Sequence, residues 1–323
     1  MYLRKNKEDS EMEERLQFLP DEDLFFDVIP FQSLSQTQSW GIKMLGAEQA
    51  WAQSRGEGVR VAILDTGICK HPDLNWQEDL AFNCSNDPSY LDEVSGHGTH
   101  VAGIVNAIDN DQGVIGIAPG CTIIPIKVLD NNGGGSFGNI VKGIKKALEM
   151  DAHIISMSLG TNSPPPNEMS NLVHEVGKRG VIMVAAAGND AGDVNYPARY
   201  DEVIAVAALD EQGMPAKFTS KGQTIDLCGP GVDIYSTFIN QSYAKMSGTS
   251  QACPFIAGIC ALLLSYDMKH NNPRKINNYV DMLKALNSIS ENSPFIPVEG
   301  ENKWGFGCPS FGNIDWQAVY NQS

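Results

Sequence analysis

Three short stretches carry the side chains that hydrolytic chemistry requires: DTG at 65–67, GHGTHVAG at 96–103 and MSGTSQACPFIAG at 246–258. A serine hydroxyl becomes a strong nucleophile when an imidazole takes its proton, and the imidazole needs a carboxylate to fix its tautomer and stabilise its charge. Asp65, His97 and Ser250 supply these groups in one of the known chain orders. A fourth group follows the apolar run VIMVAAA (181–187): the side-chain amide of Asn189, after Gly188, could donate to an oxyanion beside the backbone N–H of Ser250.

Each stretch also has a plainer reading. Asp65 could cap a turn, and a DTG of the aspartic-protease kind needs a second carboxylate, yet no second DTG or DSG occurs. His97 and His100 stand three apart and would suit zinc, but the nearby Asp92 and Glu93 do not complete a ligand set, and His100 reads as a core histidine. Ser250 alone reads as the cap of an apolar helix whose first turns accommodate Pro254. A rival of another class is the run 133–138, GGGSFG, which satisfies the dinucleotide-binding pattern G-x-G-x-x-G. It lies beyond an Asp-Asn-Asn insertion, and the next acids, Glu149 and Asp151, fall at a helix end instead of in a strand.

The elements that position these groups are legible in the hydrophobic pattern. VRVAIL (59–64), TIIPIKVL (122–129), HIISMSL (153–159), VIMVAAA (181–187) and VIAVAAL (203–209) are apolar on both faces, as strands buried in a parallel sheet must be. Between them, residues 137–150 place Ile140, Val141, Ile144, Ala147 and Leu148 on one helical face, and 171–178 reads as another crossover helix. The expectation is an α/β fold of three layers, a mainly parallel central sheet flanked by helices. Chemistry in such folds belongs at the carboxyl ends of the strands.

Composition narrows the function classes. The net charge of −16 disfavours nucleic acid, whose phosphates it would repel, and suits a protein that recruits cations. Seven cysteines form no C-x-x-C pair and cannot all be bridged, which predicts free thiols and a reducing, cytoplasmic setting. The lead MYLRKNKEDSEMEERLQF has no apolar signal region, and uninterrupted apolar runs such as 181–187 are too short to span a bilayer, so no membrane association is expected.

Taken together, VAILDTG, GHGTHVAG, AAAGN and SGTSQACP resemble the subtilisin-like serine proteases, over about Gln36 to Asp267, and GNIDWQAV (312–319) resembles the family's closing segment. The resemblance implies a peptidase in which Asp65 orients the imidazole, His97 is base then acid, Ser250 is the nucleophile and Asn189 lines the oxyanion hole. It implies that extended substrate lies between Gly133, Gly134 and Gly135 on one side and Ser158, Leu159 and Gly160 on the other. Asn195 matches the floor of the pocket for the residue before the scissile bond, and Tyr196-Pro197 matches a cis peptide bond. Structural Ca²⁺ is implied at Gln36, Asp73, Asn110 and the carbonyls of Ile108, Gln112 and Val114, with a weaker position at Asp226 and the carbonyls of Ala198, Tyr200 and Val203. Two positions depart from many members: Gln251 stands where they have Met, and Phe255 where they have His.

The remaining segment is the N-terminal one. Residues 1–24 are acidic, without helical period, and read as a mobile lead; residues 1–34 are expected to form an extension and 35–323 the catalytic domain. Val28-Ile29-Pro30-Phe31 resembles the L-I-P-Y/F segment with which intracellular subtilisins block their own cleft, which implies a zymogen with apolar Phe25, Phe26, Ile29 and Phe31 in subsites. The alternatives are a secreted subtilisin in trimmed form and a non-catalytic peptide-binding relative; a homodimer is left open.

Overall fold

The computed structural model describes residues 15–17, 26–30, 35–87, 94–291, 293 and 303–320. In chain order the elements are β1 (Arg15–Gln17), β2 (Phe26–Pro30), α1 (Trp40–Met44), α2 (Ala47–Trp51), β3 (Arg60–Asp65), β4 (Phe82–Asn83), α3 (His97–Asn106), β5 (Thr122–Lys127), β6 (Gly134–Ser136), α4 (Phe137–Glu149) and β7 (Ile154–Met157). There follow α5 (Asn167–Lys178), β8 (Ile182–Ala186), β9 (Val203–Leu209), β10 (Leu227–Pro230), β11 (Ile234–Phe238), β12 (Ser242–Met246), α6 (Thr249–His270), α7 (Tyr279–Ser290) and α8 (Trp316–Tyr320).

The five continuous apolar runs become β3, β5, β7, β8 and β9, because strands with no polar face must be covered on both sides. They lie in a seven-stranded sheet of order β10-β9-β8-β7-β3-β5-β4, paired in parallel throughout. Helix α4 turns its apolar side to β3 and β5 and packs on α5, while α3 and α6 pack on each other and on the sheet; the layers are the three expected. Helix α5 starts at Asn167, four residues before the apolar period becomes evident at 171.

Helix α6 is the spine of the core, buried from Thr249 through Ser265. By length and composition it could cross a membrane, which corrects the reading of the apolar runs; yet 94% of its most apolar window is buried inside the fold. Pro254 is the sixth residue of the helix, past the turn whose N–H groups are unshared, which corrects its reading as a helix-start residue; the Ser250 carbonyl that it cannot serve accepts from Ser158 Oγ at 2.8 Å instead.

Two smaller sheets hold the N-terminal segment. Residues 15–17, expected to be part of a mobile lead, form β1, antiparallel to β6 with Arg15 opposite Ser136, Leu16 opposite Gly135 and Gln17 opposite Gly134. Strand β2 joins the β11–β12 hairpin, with Pro30 opposite Ser242, Ile29 opposite Tyr243 and Phe26 opposite Lys245. Phe25, Phe31, Asp92, Glu93 and the expected domain boundary at 34 lie outside the described residues.

Candidate active site

The groups singled out in the sequence lie at the carboxyl ends of β3, β7 and β8, flanking the position where strand order reverses. Asp65 ends β3, fully buried. Its Oδ1 accepts from Thr66 N at 2.7 Å and Thr66 Oγ1 at 3.3 Å, and lies 2.8 Å from His97 Nδ1. A carboxylate there keeps the proton on Nδ1, which makes Nε2 the basic nitrogen. Asp65 Oδ2 is buried without a hydrogen-bond partner among the described residues.

His97 opens α3, and the backbone packing around it leaves no room for side chains. A Cβ at Gly98 would collide with Gly67 O, so only glycine lets α3 start this close to the loop after β3. Thr66 Oγ1 also accepts from Gly98 N at 3.0 Å, clipping that loop to the helix. His100 has the core role expected of it: its Nε2 faces Ile234 O at 2.9 Å and Ala244 O at 3.1 Å, and burial, with a smaller contribution from His97, pushes its pKa down to about 3. It therefore stays neutral and pins the β11–β12 hairpin to α3.

Ser250 is the second residue of α6, at the end where unshared N–H groups favour negative charge. Its Oγ donates to Ser158 O at 3.3 Å, and Ser158 Oγ donates to Ser250 O at 2.8 Å. Asn189 follows β8, its Oδ1 accepting from Thr249 N at 2.8 Å and Thr249 Oγ1 at 2.9 Å. Thr249 Oγ1 in turn accepts from Gly188 N at 3.1 Å, which ties the loop after β8 to the start of α6.

The two edges expected to hold substrate take different forms. Gly134 and Gly135 belong to β6, with Gly133 at φ +75° leading into it, and their free edge is the one β1 pairs with. Ser158, Leu159 and Gly160 follow β7, all buried. Asn195 is buried beside Gly160: a Cβ on Gly160 would lie 3.2 Å from Asn195 Cβ, and one on Gly188 would lie 2.7 Å from Asn195 Nδ2. Asn195 Oδ1 has no hydrogen-bond partner among the described residues. The Tyr196-Pro197 peptide bond is cis, as expected, and Asn272-Pro273 is a second cis bond.

The residues expected to hold calcium converge and fit an oxygen-seeking cation. Gln36 Nε2 donates to Ile108 O at 2.9 Å and reaches Val114 O at 3.5 Å, while Asn110 Nδ2 donates to Asp73 Oδ1 at 3.0 Å. Turned about its last torsion, each amide presents oxygen at the same place, giving an all-oxygen set with one carboxylate. Asp73 is fully buried, and burial pushes its pKa up to about 6 against the opposing bonds from Val114 N, Asn110 and Tyr243. Gln112 lies in the same loop, its N–H donating to Asn110 Oδ1 at 3.0 Å. At the weaker position Asp226 Oδ2 accepts from Ala205 N at 2.8 Å, Asp226 Oδ1 from Tyr279 OH at 3.0 Å, and Tyr200 O from Val203 N at 3.0 Å. Those donors already engage three of the oxygens that a second cation would use. Ala198 is buried in the same segment.

Sequence reading missed the residues that hold the reacting groups: Thr66, Thr249 and Lys127. Both threonines sit beside a motif residue, in DTG and GTS. Lys127 left a plainer signal as the lone cation in the apolar run TIIPIKVL.

A parallel α/β sheet with a buried Asp–His pair and a serine at the start of the core helix fits the subtilase class of serine proteases, and the subtilase family model matches residues 56–288; the chain belongs to that family. Among its relatives, the thermostable alkaline protease of Halalkalibacterium halodurans is 43% identical over 242 residues, 74% of this chain and 66% of that one. Subtilisin Savinase of Lederbergia lenta is 39% identical over 79% of this chain and 95% of its own. The intracellular serine protease of Paenibacillus polymyxa is 38% identical over 73% of this chain and 77% of its own. The chain thus spans just under two thirds of the first of these relatives and nearly all of the second.

Proposed function

We propose that this chain is a serine endopeptidase that cleaves extended polypeptide through an acyl-enzyme on Ser250. The observation that carries the reading is the buried 2.8 Å contact between His97 Nδ1 and Asp65 Oδ1. Ser250 Oγ leaves Ser158 O, passes its proton to His97 Nε2 and attacks the substrate carbonyl carbon. The carbonyl electron pair moves onto oxygen, where the Asn189 amide and the Ser250 N–H stabilise it. His97 then protonates the leaving amine as the C–N bond breaks, and water repeats the sequence on the acyl ester. Asp65 remains ionised throughout.

In this reading substrate adds as a strand between Gly133–Gly135 and Ser158–Gly160, held by main-chain bonds, with the side chain before the scissile bond near Asn195. Residues 1–34 act as a regulatory extension on the catalytic domain, 35–323. The support is the antiparallel pairing of Arg15–Gln17 on β6, the edge that substrate needs. A blocking contact at Arg15–Gln17 stands beside the one expected at Val28–Phe31, of which Val28–Pro30 belongs to the strand paired with β12 and Phe31 lies outside the described residues. The strand β12 leads into Gly248–Ser250, so β2 braces the approach to the nucleophile.

Calcium, when bound at Gln36, Asp73, Asn110 and the carbonyls of Ile108, Gln112 and Val114, supplies a cross-link and charge neutralisation for the buried Asp73 carboxylate. Seven free cysteines, six of them buried, and the likeness to an intracellular protease support a cytoplasmic enzyme. Fluorophosphonate labelling tests the core of the reading. Once the N-terminal block is released, stoichiometric modification of Ser250, absent in Ser250→Ala, is the expected result, and a released parent protein that neither labels nor hydrolyses peptides overturns it.

A further inference from the structure

Lys127 ends β5 directly beside Asp65, its register partner on β3, and its side chain is completely buried. An ammonium ion out of water is costly unless every N–H is answered. Here three acceptors answer it: Thr66 O at 2.5 Å, Asn131 Oδ1 at 2.8 Å and the Asp87 carboxylate at 3.2 Å. A well-packed apolar residue would serve stability as well or better, so the arrangement asks for another explanation.

The partners supply it. Thr66 is the residue that holds the Asp65 carboxylate through its N–H and hydroxyl and the start of α3 through Gly98 N. Asn131 belongs to the loop that carries the substrate edge, since Asp130 N donates to Gly134 O at 2.6 Å and Gly134 N donates to Asp130 Oδ1 at 2.9 Å. Asp87 closes the set, accepting at Oδ2 from Asn131 N at 2.7 Å, while its backbone oxygen accepts from Asn83 Nδ2 at 2.6 Å. One buried cation therefore joins the turn that fixes the Asp–His pair to the loop that grips extended substrate.

Building on the peptidase reading, we infer that Lys127 is a positioning residue that couples occupation of the Gly133–Gly135 edge to the alignment of Asp65 and His97. Chain pairing on β6 draws on the 130–135 loop, and Asn131, Lys127 and Thr66 pass that constraint to the catalytic carboxylate. Remote substrate binding is then converted into a faster chemical step as well as tighter binding. The ammonium touches neither substrate nor the reacting atoms; its effect runs through Thr66 and Asn131.

The test uses the full-length chain after release of its N-terminal block, a series of peptide anilides lengthened by single residues ahead of the scissile bond, and a small fluorophosphonate that cannot reach the edge. In the parent, lengthening the peptide should raise kcat and lower KM. In Lys127→Met the rise in kcat should disappear, a loss of about tenfold for one charge-assisted hydrogen bond, while the KM gain persists in part. Asn131→Ala should reproduce the loss, and in the double variant the two losses should not add. Should Lys127→Met fail to fold, Asn131→Ala and Asp87→Asn carry the same comparison. Unchanged length dependence of kcat in these variants, or equal losses on the fluorophosphonate and on every peptide, overturns the inference. A parent that does not label at all overturns the peptidase reading instead.

Discussion

Asn189 Oδ1 is gripped twice by Thr249, through its backbone N–H at 2.8 Å and its hydroxyl at 2.9 Å. The grip fixes which way the Asn189 amide points, so in the proposed mechanism the residue beside Ser250 sets the donor that serves the oxyanion. Asn189→Leu should lower kcat by roughly 10² to 10³, a scale taken over from subtilisin itself. Thr249→Val keeps the backbone N–H grip but loses both hydroxyl contacts, to Asn189 Oδ1 and from Gly188 N, and should still cost less, about tenfold. Steady-state kinetics on one peptide anilide checks both, and a Thr249→Val loss larger than that of Asn189→Leu would contradict the ordering.

Ser250→Ala should keep the fold, because a buried hydroxyl donating to one carbonyl at 3.3 Å contributes little. Its kcat should fall by roughly 10⁶, again the scale known for subtilisin. Circular dichroism and hydrolysis rates measured on the same preparation decide it; turnover near that of the parent removes the mechanism.

Asp73 gives calcium a signature in pH. Its folded pKa, raised by burial to about 6, lies above the ordinary aspartate range of the unfolded chain, so without metal the folded state takes up a proton first and Asp73 favours folding more as pH falls through 6. Calcium reverses this, since the ion requires the ionised carboxylate and competes with the proton. In the Ser250→Ala background, Tm should therefore drop more steeply from pH 7 to pH 5 in calcium than in EGTA, and Asp73→Asn should abolish the difference. Coincident melting curves with and without EGTA at pH 7 would rule out a structural ion.

Leu16 opposite Gly135 identifies the strand to be removed. Deleting residues 1–20 should raise the initial peptidase rate by on the order of tenfold or more, the effect of losing a tethered competitor. The two prolines of the segment can be separated in the same assay. If the block lies in the stretch that continues from Gln17, Pro20→Ala should raise the rate by permitting self-cleavage and Pro30→Ala should not; if it lies at Val28–Phe31, Pro30→Ala should raise it. A stable truncated protein no faster than the full chain would leave the segment a packing element.

In the proposed reading Asn195 would bear on specificity. Its buried Oδ1 lacks a partner among the described residues, and an unsatisfied buried acceptor costs about 1–3 kcal/mol. A substrate side chain carrying an N–H or O–H donor should satisfy it, so kcat/KM should favour glutamine over leucine before the scissile bond by roughly tenfold. Asn195→Gly should erase that preference and admit larger apolar groups. A parent enzyme that prefers leucine would show that the amide is met in another way.

Much was fixed by local pattern. The five doubly apolar runs suit buried parallel strands, and the types of Asp65, His97, Ser250 and Asn189 match what acyl transfer demands of an orienting carboxylate, a proton acceptor, a nucleophile and an oxyanion donor. What the chain pattern could not decide was pairing between distant segments. Short strands such as Arg15–Gln17 and Phe26–Pro30 carry too little periodicity to choose a partner, and main-chain hydrogen bonds do not read side chains, so only the folded edges of β6 and β12 distinguish them. The same holds for Lys127. In sequence it is one cation in an apolar run; the packing that buries it against Thr66, Asn131 and Asp87 makes its charge consequential, because an ammonium ion held in a dry interior must be answered by fixed acceptors, and those acceptors come from three separate loops.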